Sequence, residues 1–237
     1  MSEWTAKRFW KETSAVEVEG GFSVELDARP VKTPAKRALI MPSLALAQAV
    51  AAEWEAQQEV VDPRSMPFTR TANAAIDKVA IQHAEVAQML ADYGDSDLLC
   101  YRADSPQALV ERQAQLWDPW LAWADDTFGA HLEPRHGVIH APQDPASLAV
   151  LSEQVHALNA FELAAFHDLV SLSGSLILGF ACARGDLDAT EAWEISRLDE
   201  LWQAEQWGTD EDAEAVAALK KEAFLHAKQV FDLSTIK

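Results

Sequence analysis

The sequence predicts an α+β protein, in which a small N-terminal antiparallel β domain, residues 1–42, precedes a larger all-helical domain, residues 43–237. Two observations lead to this prediction. Through residues 14–41 apolar and polar residues alternate, which is the period of a half-buried strand. From Ser43 onward apolar residues recur every three or four positions, which is the period of an amphipathic helix. The boundary between the two domains is therefore expected near Pro42.

The β domain is expected to open with a hairpin around Gly20-Gly21. The alternating apolar residues that flank this pair are Val16, Val18, Phe22, Val24 and Leu26. A glycine pair between two alternating runs predicts a tight turn of the primed type. Val31, Leu39 and Met41 indicate one or two more strands. So few strands cannot bury both faces of a sheet, so the sheet must pack against helices.

The helices are predicted from periodicity together with start and stop signals. Ser43 is a candidate N-cap for the first, which ends near Gln58, and Ser105-Pro106 and Asp144-Pro145 combine an N-cap with proline at the first helical position. Pro119 should kink or split the helix that contains it. The further helices are expected at residues 69–79, 84–93, 106–128, 145–183 with a break near Asn159, 189–207 and 211–231.

The charge of the chain limits its partners. It has 19 Lys and Arg against 38 Asp and Glu, a net charge of −19, so nucleic acid and anionic membrane surfaces would repel it. Residues 1–42 carry a net +1 and the remainder −20. Such an acidic body suits a basic or neutral protein partner, or serves solubility alone.

The start MSEWTAKRFW does not resemble a signal peptide, and we expect a soluble, cytoplasmic monomer with reduced Cys100 and Cys182.

The stretch from Ile195 to Gly208, read as a helix, is apolar on two faces. One stripe contains Ile195, Leu198, Leu201 and Trp202, and the other contains Trp193, Ala204 and Trp207. Asp199 lies at the edge of the first stripe and Glu205 at its end. A helix of this kind is either buried between layers or keeps one face for a partner. Both interpretations are open from the residues alone.

No residue pattern calls for catalysis. His131, His136 and His140 lie within ten residues, which allows a metal-dependent hydrolase as an alternative function, but Pro134, Gly137 and Pro142 indicate a surface loop. The sequence has neither GxGxxG nor GxxxxGK[ST], so no nucleotide site is signalled. We therefore expect a protein that is not an enzyme and holds no cofactor.

Six stretches follow one another in a fixed order and span nearly the whole chain: RFW, EGGFSVELDARPVKTP, AVAAEWEAQQ, YGDSDLLCYRAD, LWDPWLAWA and SRLDELWQAEQWG. Together they resemble the assembly chaperone family that acts on the alpha subunit of F-type ATP synthase. The resemblance implies a non-enzymatic chaperone that holds the unassembled alpha subunit and shields the surface that later meets the beta subunit. Eukaryotic relatives act in the mitochondrial matrix, whereas this chain is expected to be a bacterial, cytoplasmic member.

The resemblance also implies site residues. Its EW motif places Trp54, and its C-terminal motif places acidic residues at Asp199 and Glu205, within a frame of Arg197, Gln203 and Trp207. Asp199 stands where relatives often have Glu, which leaves open whether Asp199, Glu200 or Glu205 has the functional role. The partner-binding set predicted from it is Trp54, Arg197, Asp199, Glu200, Trp202, Gln203, Glu205 and Trp207. Trp54 also lies on the apolar stripe of its helix, which favours a core role for this residue. A further alternative for the whole chain is an acidic module that binds another basic protein.

Overall fold

The computed structural model describes residues 7–137 and 140–235, and these residues form two compact units. Unit 1 contains residues 7–83, 159–165 and 229–235, and unit 2 contains residues 84–158 and 166–228, in each case within the described ranges. The α+β class is confirmed, since a three-stranded antiparallel sheet near the N-terminus is followed by a mostly helical chain. The boundary near Pro42 stays a prediction, because the units follow packing and not the change from strand to helix.

Unit 1 contains the predicted hairpin. Strand β1, Thr13–Val18, pairs with β2, Gly21–Leu26, and β2 pairs with the short β3, Arg29–Pro30. Val18 lies opposite Gly21, so the connecting loop is Glu19-Gly20 and not Gly20-Gly21.

The primed turn of this sheet occurs at its second connection. Both central residues of a type I′ turn need positive φ, and Asp27 and Ala28 have φ of 49° and 61°. Glu19 is not in the positive-φ region, so the prediction of a primed turn at the first connection was wrong. Backbone N–H groups of Lys11 and Glu12 donate to the Asp27 carboxylate at 3.0 Å each, which holds the Asp27-Ala28 turn against the start of β1.

Helices of unit 1 cover one face of this sheet. Helix α1, Leu44–Ala56, begins at Ser43, whose hydroxyl accepts a hydrogen bond from the Leu46 N–H at 3.0 Å, and it packs on β1 and β2. Helix α2, Pro67–Ala74, continues into a π-helical turn, Ala75–Val79. Leu39 and Met41 are buried in the resulting core, although the expected strand there consists of two isolated bridges, Lys32 with Ala38 and Phe22 with Met41.

The remaining helices form most of unit 2. A two-residue parallel pair, β4 (Tyr101–Arg102) with β5 (Arg135–His136), was not predicted. The helices are α3 His83–Ala91, α4 Gln107–Phe128, α5 Pro145–His156, α6 Ala160–Ser173, α7 Leu176–Arg184, α8 Ala189–Ser196, α9 Leu198–Trp207 and α10 Glu211–Ser234. Three of them, α3, α6 and α10, also contribute residues to unit 1.

Several of these helices begin or break at positions that differ from the predictions. Helix α4 starts at Gln107 with Pro106 as its cap residue, and it runs through Pro119 without splitting. The 145–183 segment breaks near Asn159 as predicted and again at Gly174, whose φ is +72°. A Cβ at Gly179 would lie 2.8 Å from Val170, so α6 and α7 approach each other closely at this glycine.

The predicted helix over residues 189–207 is in fact two helices. Arg197, with φ −101° and ψ 13°, separates α8 from α9. Helix α9 ends at Gly208 as predicted. Cys100 and Cys182 are buried and form no disulfide. Within the described residues, no helix combines the length and the apolar character that crossing a membrane requires.

Candidate partner-binding surface

The start of α9 is attached to α4 by a buried amide. The side chain of Gln113 on α4 is buried, and its Oε1 accepts the N–H of Ala103 at 2.9 Å. Its Nε2 donates to Oδ1 of Asp199 at 2.7 Å. Both ends of the amide are thus engaged, and Asp199 fixes the first turn of α9 against α4.

The end of α9 is attached to α4 by an ion pair. Nη1 and Nη2 of Arg112 donate to the two carboxylate oxygens of Glu205 at 2.7 and 3.0 Å, a two-point geometry that orients both groups. This hydrogen bonding lowers the pKa of Glu205 below its usual value. The Arg112 guanidinium also lies 5.9 Å from the ring centroid of Trp202. Asp199, Trp202 and Glu205 therefore all contact α4 residues.

The apolar side chains of this region divide into a buried and an exposed group. Ile195 and Leu198 are buried, and the Ile195 carbonyl accepts a hydrogen bond from Trp117 Nε1 at 3.1 Å. In contrast, Leu201 is 44% exposed and Trp207 is 79% exposed. The first predicted stripe is thus a core stripe only in its N-terminal half, and α9 presents large apolar side chains to solvent.

The second predicted stripe lines a groove within unit 2. Trp193, Ala204 and Trp207 lie along a cavity of about 600 Å³ that is bounded on the other side by the N-terminal half of α10. Arg197, Glu200 and Gln203 also line it. Nη1 of Arg197 donates to Oε1 of Glu200 at 2.7 Å, so the charges of these two lining side chains neutralise each other.

The structure thus sorts the predicted residues of the C-terminal motif into two sets. Arg197, Glu200, Gln203 and Trp207 line the groove, while Asp199, Trp202 and Glu205 connect α9 to α4. Sequence reasoning missed the α4 partners and the groove wall on α10. Glu205 and Arg112 are separated by 93 residues, and no local spacing signals such a pair.

Trp54 lies in the core of unit 1. It packs half-buried against the apolar cluster of that unit, and its ring makes an edge contact with Trp10 at a centroid distance of 5.3 Å. Its Nε1 is buried and has no hydrogen-bond partner among the described residues. These contacts favour the core interpretation of Trp54.

The three loop histidines do not converge on one point. His131 contacts Asp125 and Glu133, while His136 contacts Asp104 at 3.4 Å. His140 contacts Asp95 at 3.2 Å and the Tyr101 hydroxyl at 3.1 Å. Across residues 7–137 and 140–235, no group of three or more His, Cys, Asp or Glu side chains is arranged to hold a metal ion. Nothing in this arrangement favours the hydrolase alternative.

Comparison with known proteins identifies relatives. The sequence model of the ATP12 chaperone protein family matches residues 7–125. Protein atp12, mitochondrial, from Schizosaccharomyces pombe is 27% identical over 222 residues, covering 89% of this chain and 76% of that protein.

Solved structures agree with this match. Atp12 from Paracoccus denitrificans is 52% identical with a TM-score of 0.96, covering 98% of this chain and all of that one, and an aspartate-to-lysine variant of the same protein superposes equally well. The Atu1473 protein from Agrobacterium tumefaciens is 42% identical with a TM-score of 0.92, covering 98% of this chain and 87% of that one. The chain therefore belongs to the ATP12 chaperone family, which supports a chaperone role in ATP synthase assembly.

Proposed function

We propose that this chaperone binds the unassembled alpha subunit of F-type ATP synthase and shields its beta-facing surface until assembly, in the bacterial cytoplasm. The observation that supports this most directly is the exposed pair Leu201 and Trp207 on a helix that is fixed at both ends. A subunit without its partner exposes an apolar interface that is prone to aggregate. Rigid apolar anchors at an acidic surface are suited to cover such an interface.

Trp207 is the central anchor in this proposal. Tryptophan is enriched among residues that dominate binding energy, because it contributes a large contact area with few rotatable bonds. Its exposure is unusual for so apolar a side chain and leaves its ring open for a partner. Arg197, Glu200 and Gln203 would surround this contact with polar groups and fix its register.

Asp199, Trp202 and Glu205 would support binding indirectly, through the position of α9. Because their side chains contact Gln113 and Arg112, we assign them to positioning α9. Trp54 would act through the stability of unit 1. The predicted partner-binding set thus divides into contact residues and positioning residues.

Release would follow from competition. The beta subunit covers the same surface of alpha in the assembled enzyme, so a higher affinity of alpha for beta is sufficient to displace the chaperone. This scheme requires neither catalysis nor a cofactor, in line with the expectation from the sequence.

Co-expression of the alpha subunit with and without this chain tests the proposal. We expect soluble alpha only when the chain is present, together with a complex that survives gel filtration. Addition of purified beta should then dissociate that complex. The matched control is co-expression of beta alone, whose solubility should not change; an equal effect on beta, or none on alpha, would contradict the proposal.

A further inference from the structure

The N-terminal half of α10 extends along the groove with few contacts of its own. Residues 211–220 are exposed except for the partly buried Ala217, whereas Phe224 and Ala227, further along the helix, are buried. Ten helical residues span about 15 Å. Residues 211–220 form the α10 arm.

Contacts at one end fix the direction of the arm. Nζ of Lys221 lies 3.5 Å from the Glu194 carboxylate on α8, and the Phe224 ring packs against Trp193 at a centroid distance of 5.8 Å. At the other end, Oδ1 of Asp210 accepts the Asp212 N–H at 2.9 Å and so begins the helix. The arm is thus joined to α8 through Lys221 and Phe224 just beyond its C-terminal end and begins with a local cap at Asp210, while the cavity separates it from α9.

The gap between the arm and α9 is apolar and deep enough for side chains. Ala213 and Ala217 line it on the arm, and Ala204 lines it on α9. Because these side chains are small, they leave space between the two helices. The cavity of about 600 Å³ lies within the range of about 300–1,000 Å³ that is typical of binding pockets. Val216 and Leu219 on the arm are 52% and 68% exposed and do not line the cavity, so they are separate from the groove.

Charge determines which segment suits the groove. Four carboxylates line it, from Glu194, Glu200, Asp210 and Glu214, against the two cations Arg197 and Lys221. The cations are paired with Glu200 and Glu194, so the net charge of the lining is negative. An apolar segment with a lysine or arginine at its edge therefore complements both the alanines and the carboxylates that line the groove.

We propose that the groove between α9 and the α10 arm binds an amphipathic helical segment of the client, apolar on one face and basic at its edge. The inference rests on the proposed function, since it names the kind of alpha-subunit segment that is held. It adds the arm as a second wall, so that Ala213, Glu214 and Ala217 contact the client together with Trp207. An amphipathic helix in an apolar groove is a common mode of peptide recognition.

A second copy of this chain does not suit the groove. The chain carries a net charge of −19, and the first turn of the arm contains Glu211, Asp212 and Glu214. Insertion of one arm into the groove of another copy would place acidic residues against an acidic rim.

A thiol placed in the groove tests the proposal. The native Cys100 and Cys182 are buried, and burial raises the pKa of Cys100, so a maleimide dye will label an introduced surface thiol selectively. Ala217→Cys places the dye in the groove, and Ala215→Cys places it on the exposed side of the same helix, away from the residues that line the groove. We expect labelled Ala217→Cys to bind the alpha subunit at least about tenfold more weakly than unlabelled Ala217→Cys, whereas labelled and unlabelled Ala215→Cys should bind equally well.

The outcomes separate this inference from the proposed function. If the natural chain captures no alpha subunit, the proposed function fails. If it does, and both labelled variants bind equally well or lose binding equally, the groove inference is wrong while the function stands.

A charge reversal tests the basic edge of the client. Glu214→Lys changes the rim, and Glu222→Lys makes the same change on α10 outside the groove. We expect roughly three- to tenfold weaker binding for Glu214→Lys at low salt, a smaller difference at high salt, and little change for Glu222→Lys. Equal behaviour of the two variants would overturn the assignment of a basic segment.

Discussion

Arg112 and Glu205 lie 93 residues apart in the chain, and their side chains form a two-point ion pair at 2.7 and 3.0 Å that joins α4 to the end of α9. This pair changes the interpretation of the acidic motif. Glu205, which we predicted to contact a partner, is joined to α4 in the free chain, and this contact holds the helix that presents Trp207 and Leu201. Gln113 and Asp199 do the same at the other end of α9.

An exchange of the two charges distinguishes positioning from contact. We expect Glu205→Arg to weaken alpha-subunit binding, because it places two guanidinium groups against each other and displaces the end of α9. Adding Arg112→Glu restores an ion pair with the charges reversed and should restore much of the binding. Binding affinities of the two single variants and the double variant, measured by calorimetry, check this. A double variant as weak as Glu205→Arg would indicate that the carboxylate contacts the client.

Asp199 should tolerate an amide but not an amine. Asp199→Asn keeps an oxygen that can accept from Gln113 Nε2, so the free energy of unfolding should change little. Asp199→Lys places an ammonium group against a buried amide donor that cannot turn away, since its oxygen already accepts the Ala103 N–H. The cost of an unsatisfied buried donor is about 1–3 kcal/mol. Urea unfolding of both variants checks this, and equal stability would show that Gln113 does not depend on Asp199.

Trp54 should prove essential for folding and not for contact. We expect Trp54→Phe to stay soluble and bind alpha, because the ring contact with Trp10 is kept and the Trp54 Nε1 makes no hydrogen bond to the described residues. Trp54→Ala should lose ~3 kcal/mol or more, and Trp54→Arg should be insoluble. Solubility and thermal melting of the three variants test this. A Trp54→Arg chain that melts normally but fails to bind would place Trp54 in the interface.

Asp97 should titrate well above its ordinary range. It is fully buried and accepts the backbone N–H groups of Leu99 and Ile177 at 3.0 Å, yet desolvation raises its pKa from the usual 3.8 to about 6. The folded chain then holds this proton more tightly than the unfolded chain. The contribution of Asp97 to the unfolding free energy therefore falls as pH rises from about 3.8 to about 6. Carbon-13 NMR of the carboxyl group measures the midpoint, and a value below 3.8 would show that the two N–H donors outweigh burial.

Much of the fold follows from local patterns. Alternation around Gly20 predicts the hairpin, the Ser43 and Asp144 caps predict the starts of α1 and α5, and Gly208 predicts the end of α9. The break at Arg197 could not be predicted, since the stretch keeps helical periodicity through this position and contains no glycine or proline there.

Only part of the candidate surface could be predicted in the same way. The two apolar stripes indicate a helix with more than one contact face, and the second stripe does line the groove. Which carboxylates are already paired depends on Arg112 and Gln113, which approach α9 only through tertiary packing. That the α10 arm forms a wall of the groove depends likewise on the angle between α9 and α10, which the sequence does not specify.

We propose above all that the exposed apolar face of α9 holds the client. The amount of soluble alpha subunit tests this most directly. Alpha should be co-expressed with the natural chain, with the Leu201→Ser/Trp207→Ser double variant, and with Ile81→Ser as a matched control, since Ile81 is 58% exposed in unit 1. We expect all three chains to melt at about the same temperature, because surface substitutions change stability by about 0.5 kcal/mol or less. The double variant alone should leave alpha insoluble. If it keeps alpha as soluble as the natural chain does, the α9 face is not the surface that holds the client.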